Sequence, residues 1–140
     1  MYEYNCTVRA IIDGDTVDVD VDLGFDVILR GVRVRIAGID APEIRSRDVV
    51  EKHWGRKSRS FLEKTIPVGT KLIFVSKEYH PNDSFGRVIG DFYYGMSTIS
   101  QVMLNSHHAV PWDSNKEERE KNHLRNRELL VEAGYSPAEE

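Results

Sequence analysis

The chain has 140 residues, 40% of them hydrophobic and 30% charged, with a net charge of −4. Those values fit one globular domain over residues 1–140. They exclude a protein that coats nucleic acid by net positive charge. The single cysteine, Cys6, excludes an internal disulfide framework, and no apolar run is long enough to span a bilayer. No basic stretch followed by an apolar run opens the sequence, so a cytoplasmic protein is expected, secreted only if a pre-sequence was removed.

Charge is unevenly distributed. Residues 10–29 hold six Asp (Asp13, Asp15, Asp18, Asp20, Asp22, Asp26) and no Lys or Arg, whereas residues 30–59 hold nine Lys and Arg against four acids. An acidic block beside a basic one suits a site for a cation and a phosphate; a solvated surface of mixed charge is the other reading.

Taken in chain order, Cys6–Ile12 reads as a first strand. Thr16–Leu23 alternates, with Val17, Val19, Val21 and Leu23 on one face and Asp18, Asp20 and Asp22 on the other. Val32, Val34 and Ile36 alternate with Arg33 and Arg35 in a third strand. Asp13-Gly14 marks the first hairpin turn, so the first forty residues predict a three-stranded meander. A helix follows over about 52–65 with Trp54, Phe61 and Leu62 on its apolar face; Gly55 weakens its first turn and Pro67 stops it. Lys71–Ser76 and Arg87–Tyr93 are two more strands, and the loop Glu78–Gly86 joins them. Ser97–Asn105 predicts a short helix with Ile99, Val102 and Met103 inward. A last helix, about 115–133, starts at a Ser114–Glu117 capping box, ends at Gly134, and reads as an exposed charged face. Five strands, one helix after the third and helices at the C-terminal end predict an α+β, mainly β fold: a five-stranded Greek-key barrel of the OB type with three helices.

Three segments carry candidate chemistry. Asp13-Gly14-Asp15-Thr16 offers two carboxylates around a glycine. It is not an EF-hand loop, because Val17, Asp18 and Gly24 stand where that loop needs a ligand, a glycine and a glutamate. A solvated turn and a cation site both remain open for it. In the second segment, Arg35 faces away from the core and is followed by Ile39-Asp40-Ala41-Pro42-Glu43. Pro42 holds Ala41 extended and gives the Ala41 carbonyl a fixed direction, useful for holding a metal or aiming Glu43. The third, Asp83-Ser84-Phe85-Gly86-Arg87, delivers a guanidinium able to grip a phosphate in two-pronged fashion.

Together, in this order and spacing, Asp13–Thr16, Arg35 with Ile39–Glu43, and Phe85-Gly86-Arg87 resemble the staphylococcal nuclease (thermonuclease) family. The similarity takes in Trp54-Gly55 and Ile66–Thr70, and is strongest over residues 4–112. What the resemblance implies is a Ca²⁺-dependent phosphodiesterase acting on DNA or RNA and leaving 3′-phosphate ends. It implies metal ligands at Asp15, Asp40 and the Ala41 carbonyl, with Asp13 in support. Glu43 would be the general base or water-orienting group, and Arg35 and Arg87 the phosphate clamp. Ser84-Phe85 replaces the Lys-Tyr that many members carry. The aromatic platform after the second helix is reduced to Trp112, which either stacks on a base, as Phe85 can, or anchors packing. A monomer is expected. The rival readings are a non-catalytic nucleic-acid-binding barrel, and a Ca²⁺-binding or interaction domain that leaves both arginines without a role.

Elsewhere, Cys6 reads as a small buried residue and His107-His108 as a solvated pair. The basic stretch Arg45–Arg59 reads as either a steering surface for nucleic acid or a solvated helix face.

Overall fold

A computed structural model describes residues 2–79 and 88–138, with only the backbone at 78 and 79. The strands and helices in chain order are β1 (Tyr2–Asp13), β2 (Thr16–Asp22), β3 (Ile28–Ile36), β4 (Ile39–Asp40), α1 (Val49–Thr65), β5 (Lys71–Tyr79), β6 (Val88–Tyr94), β7 (Ser97–Thr98), α2 (Ile99–Asn105), β8 (Val110–Pro111) and α3 (Lys116–Glu132). β1, β2 and β3 form the expected antiparallel meander. β5 then pairs with β1, and β6 with β5. A parallel pairing of β3 with β6, Val34 opposite Val88 and Arg35 opposite Ile89, closes five strands into an OB-type barrel.

The period-two pattern sets the inside of that barrel. Val17, Val19 and Val21 of β2 and Val34 and Ile36 of β3 are buried with Val8, Phe74 and Phe92. The aspartates of β2 point outward, where Asp18 takes a two-pronged pair from Arg33 and Asp20 meets Arg9 and Arg30. Leu23 departs from expectation. It lies past the end of β2 and is exposed, because the strand stops at Asp22 and the turn carries it away from the core. Cys6 is buried as expected, and desolvation pushes its thiol up to about 11, leaving it unreactive.

Helix α1 starts earlier than its apolar residues suggest. Asp48 caps it by accepting hydrogen bonds from the backbone N–H groups of Val50 (2.9 Å) and Glu51 (3.5 Å), adding a polar first turn that hydropathy does not mark. Trp54 and Leu62 are buried under it and Phe61 is half-buried. For α3 the cap is Asn115, not Ser114. Its Oδ1 accepts from the backbone N–H groups of Glu117 and Glu118, so the reciprocal capping box gives way to a simple asparagine cap one residue later. Among the described residues no helix is long and apolar enough to cross a membrane.

His108 contradicts its expected place in a solvated pair. His107 is exposed, but His108 is only 2% exposed. Its ring stacks on Phe61 (4.5 Å between centroids), and its Nε2 meets the Tyr135 hydroxyl at 3.0 Å. Burial, with a smaller contribution from His107, holds its pKa down at about 4. A folded-state pKa below the unfolded value of about 6.5 means that the unfolded chain takes up the proton first as pH falls. Stability is therefore expected to be level above pH 6.5 and to drop between 6.5 and 4, by up to about 3 kcal/mol from this group. Urea unfolding at pH 7 and pH 5 tests this. His108→Phe should flatten the difference; an equally steep loss in that variant would assign it elsewhere.

Candidate active site

Four elements bring the candidate residues to one end of the barrel. The β1–β2 turn supplies Asp13 and Asp15, β3 supplies Arg35, and β4 with the loop after it supplies Asp40, Ala41 and Glu43. α3 forms the opposite wall. A pocket of about 470 Å³ is lined by all six of these residues together with Lys116, Arg119 and His123. A larger hollow of about 770 Å³, bounded by residues such as Lys71 and Tyr93, holds none of them, so chemistry rather than size selects the smaller one.

Local bonds position both acids. Asp15 is buried: its Oδ1 accepts from the Thr16 hydroxyl (2.9 Å) and its Oδ2 from the backbone N–H of Ala41 (2.9 Å). That second bond ties the turn to the β4 loop and joins two candidate segments directly. The Asp15 carbonyl accepts from the N–H of Ile36 (2.8 Å), which fixes the turn against β3. Asp40 is held by its backbone, opposite Val110 of β8.

Arg35 lies between the two carboxylates. Its Nη1 is 3.2 Å from Asp15 Oδ2 and its Nη2 is 3.5 Å from Asp40 Oδ1, with the side chain 18% exposed. Nη1 is buried and, among the described residues, has no partner in hydrogen-bond geometry, so its contact with Asp15 is an ion pair and not an aligned hydrogen bond. Asp13, half-buried, has its pKa raised by desolvation and then by the charges of Asp15 and Glu43, outweighing a hydrogen bond from the Ile44 backbone and the charge of Arg45. Crowded acids of this kind favour a positive ion among them.

The donor set fits a hard cation. Asp15 and Asp40 meet one guanidinium, Ala41 lines the same pocket, and every candidate ligand, the Ala41 carbonyl included, offers oxygen. Among the described residues no three His, Cys, Asp or Glu side chains form a ready cage, so water or substrate oxygens would have to complete the coordination.

Close packing aims the loop that carries Glu43. Gly55 of α1 is buried against it: a Cβ there would lie 2.9 Å from Glu43 C, Ile44 N and Pro42 O. Gly14 meets the same constraint, with Ser58 Cβ at 2.8 Å and Ala41 Cβ at 3.0 Å from a Cβ placed on it. Gly55 is thus a contact requirement rather than the weak point of a first turn. Glu43 itself is exposed at the pocket rim, open to solvent.

Two expected site residues, Phe85 and Arg87, lie outside the described residues, as do Asp83, Ser84 and Gly86. Trp112 is 54% exposed beside the pocket, with the guanidinium of Arg119 over its ring at 4.4 Å. That contact gives Trp112 a packing partner and leaves half of its surface open. Arg45, Arg47, Arg56 and Arg59 of the basic stretch are exposed.

Sequence reasoning missed the inner face of α3. That helix is not simply an exposed face: Arg119 and His123 point at Asp40. His123 is buried and its Nε2 donates to Asp40 Oδ2 at 2.8 Å, while Arg119 Nε is 3.9 Å from the same oxygen. The available signal was spacing. Arg119, His123, Asn126 and Leu130 recur at intervals of three or four, one helical stripe ending on a buried leucine.

The chain matches the family described as staphylococcal nuclease homologue over residues 33–133. Among its relatives are a probable staphylococcal-like nuclease, CAN3, of Oryza sativa subsp. japonica and the thermonuclease of Staphylococcus intermedius. The first is 37% identical over 84 residues, which are 60% of this chain and 20% of the plant protein. The second is 28% identical over 88 residues, covering 63% and 48% of the two chains. An uncharacterized protein of Methanocaldococcus jannaschii is 26% identical over 134 residues, covering 81% and 62%. The chain thus spans a fifth of the length of the plant relative and under two thirds of the archaeal one. With a family match over more than two thirds of its residues, and that match spanning Arg35, Asp40, Glu43 and all of α3, the chain belongs to the staphylococcal nuclease homologue family.

Proposed function

We propose that residues 1–140 form a single nuclease domain that hydrolyses phosphodiester bonds of DNA or RNA with the help of Ca²⁺. The observation that carries this reading is the meeting of Asp15 and Asp40, from separate segments, around one half-buried arginine, in a pocket that Glu43 also lines. The names of two relatives, probable staphylococcal-like nuclease and thermonuclease, point the same way.

Asp15, Asp40 and the Ala41 carbonyl would hold the ion, with Asp13 adding negative charge behind them. A bound Ca²⁺ would supply Lewis-acid polarisation of a phosphoryl oxygen. Glu43, exposed and carboxylate-bearing, accepts a proton from water as that water attacks phosphorus opposite the leaving oxygen. Arg35, which lines the same pocket, donates from its guanidinium to a non-bridging oxygen whose charge grows in the transition state. Arg87 is the second clamp; it directly precedes Val88, which pairs with Val34 next to Arg35. The bond from phosphorus to the 5′ oxygen breaks, that oxygen takes a proton from solvent water, and Glu43 returns its own to solvent, leaving 3′-phosphate and 5′-hydroxyl ends. The exposed arginines between Arg45 and Arg59 draw the polyanion toward the pocket.

Plasmid and single-stranded DNA incubated with Ca²⁺ or with a chelator, beside a Glu43→Ser variant, test the proposal. Cutting is expected only with the ion, and slower by about 10²-fold or more in the variant. A gel shift without cutting would instead make the domain a binding module. Neither cutting nor retention would leave a domain without nucleic acid as its ligand.

A further inference from the structure

We propose that His123 is a positioning residue for the cation site: α3 clamps the Asp40 side chain so that one of its oxygens faces the ion. This rests on the cation site proposed above.

Asp40 sits on a two-residue strand, a short support for a side chain that must be aimed. Its backbone is secured by β8, where Asp40 pairs with Val110 and Ile39 with Pro111. Nothing in that pairing fixes the carboxylate. The side chain is fixed from the other wall. His123 Nε2 donates to Oδ2 at 2.8 Å, and Arg119, one helical turn earlier, brings its Nε to 3.9 Å from the same oxygen. With Oδ2 engaged by α3, Oδ1 is the oxygen that meets Arg35, and Asp40 and Arg35 both line the pocket. A ligating carboxylate held by an outer hydrogen bond loses less freedom when an ion arrives, and such outer partners commonly change metal affinity by about 10- to 100-fold.

The clamp is itself built into the fold. Asn126 Nδ2, one turn past His123, donates to the Ala109 carbonyl at 3.0 Å, beside the strand that pairs with Asp40. Leu130 is buried at the far end of the stripe. Beyond the helix, Tyr135 meets His108 and the Ser136 carbonyl meets His53 Nε2 at 2.9 Å. Arg119 is steadied by the Trp112 ring and by the Asp113 carbonyl, to which its Nη1 donates. Asp40 is therefore gripped through its backbone by β8 and through its side chain by a helix tied to the same β8 segment.

The experiment compares Ca²⁺ binding by titration calorimetry in the full chain carrying His123→Gln, His123→Asn or His123→Leu, with thermal unfolding of each in chelator. Gln places an amide N–H near the position of Nε2; Asn places its amide nearer the backbone and does not reach Oδ2; Leu offers no donor. Affinity in the Gln variant is expected to stay within about threefold of the unsubstituted chain, and in the Asn and Leu variants to fall by about 10-fold or more. Should the Leu variant not fold, the Gln–Asn pair carries the comparison. Equal affinity in all variants overturns the clamp, and so does a Gln variant as weak as Asn, because packing alone would then explain the loss. An unsubstituted chain that takes up neither Ca²⁺ nor Mn²⁺ overturns the cation site itself, and the clamp with it; a chain that binds Ca²⁺ equally with and without the His123 donor overturns the clamp alone.

Discussion

Arg35→Lys is expected to lower kcat by about 10²-fold or more at saturating Ca²⁺, with a smaller change in KM. The reason lies in how Arg35 is held. Its guanidinium spans two carboxylates, at 3.2 Å and 3.5 Å, and lines the pocket beside them. Only a planar fork satisfies two anions on one side and offers further donors to a phosphate. An ammonium at that depth can satisfy one carboxylate or the phosphate, not the whole set. The loss belongs in turnover because the contact strengthens as charge builds on the phosphoryl oxygens. A lysine variant with near-normal turnover overturns the clamp role. A second readout separates phosphate binding from ion binding. In the ion-free protein Arg35 acts as the internal counter-charge of Asp15 and Asp40, so removing that charge with Arg35→Gln is expected to tighten Ca²⁺ binding even as hydrolysis collapses. Calorimetry that shows weaker ion binding in Arg35→Gln would make Arg35 a support of the cation site rather than a partner of the substrate.

Gly55→Ala is the second large effect, and its sign is the opposite of what helix propensity gives. In an ordinary helix interior, alanine is better than glycine by about 1 kcal/mol. Here the added methyl meets three backbone atoms of residues 42–44 at 2.9 Å, and backbone cannot swing aside as a flexible side chain can. Either α1 backs away from the barrel or the loop that carries Glu43 moves. Overpacking of this kind costs about 1–3 kcal/mol, and a displacement near 1 Å of a reacting group can cost about 10²-fold in rate. Gly55→Ala is therefore expected to unfold at lower urea and to lose about 10²-fold in kcat, whereas Ser60→Ala, exposed on the same helix, changes neither. A stabilised and fully active Gly55→Ala protein would show that the loop yields freely and that α1 does not aim Glu43.

These two residues show different routes from sequence to site. Arg35 was legible because the alternation Val32, Val34, Ile36 puts it on the outer face of its strand, and because the Asp40–Glu43 string follows at once. Gly55 was visible only as a glycine in a helix. What it touches, a loop a dozen residues earlier in the chain, is set by how α1 lies on the barrel. The inner face of α3 was hidden for a related reason. Hydropathy finds inner faces by their apolar residues, and this face packs through buried His123 and half-buried Arg119 and Asn126, whose placement depends on finding Asp40, Trp112 and Ala109 opposite them. His108 misled in the same way: a ring that looks polar in sequence becomes a core residue once Phe61 and Tyr135 surround it.

The sequence by itself determined the alternation that makes the barrel, the oxygen-rich donor set, and the family to which the chain belongs. These are local properties: the period of a strand, the chemistry of a side chain, and the order of short strings along the chain. Only the tertiary structure decided which groups meet. The parallel closure of β3 on β6, the hydrogen bond from Ala41 to Asp15, and the seating of α3 against Asp40 join residues far apart in the chain. Such contacts depend on barrel closure and helix packing, energies summed over the whole core, which no short stretch of residues encodes alone.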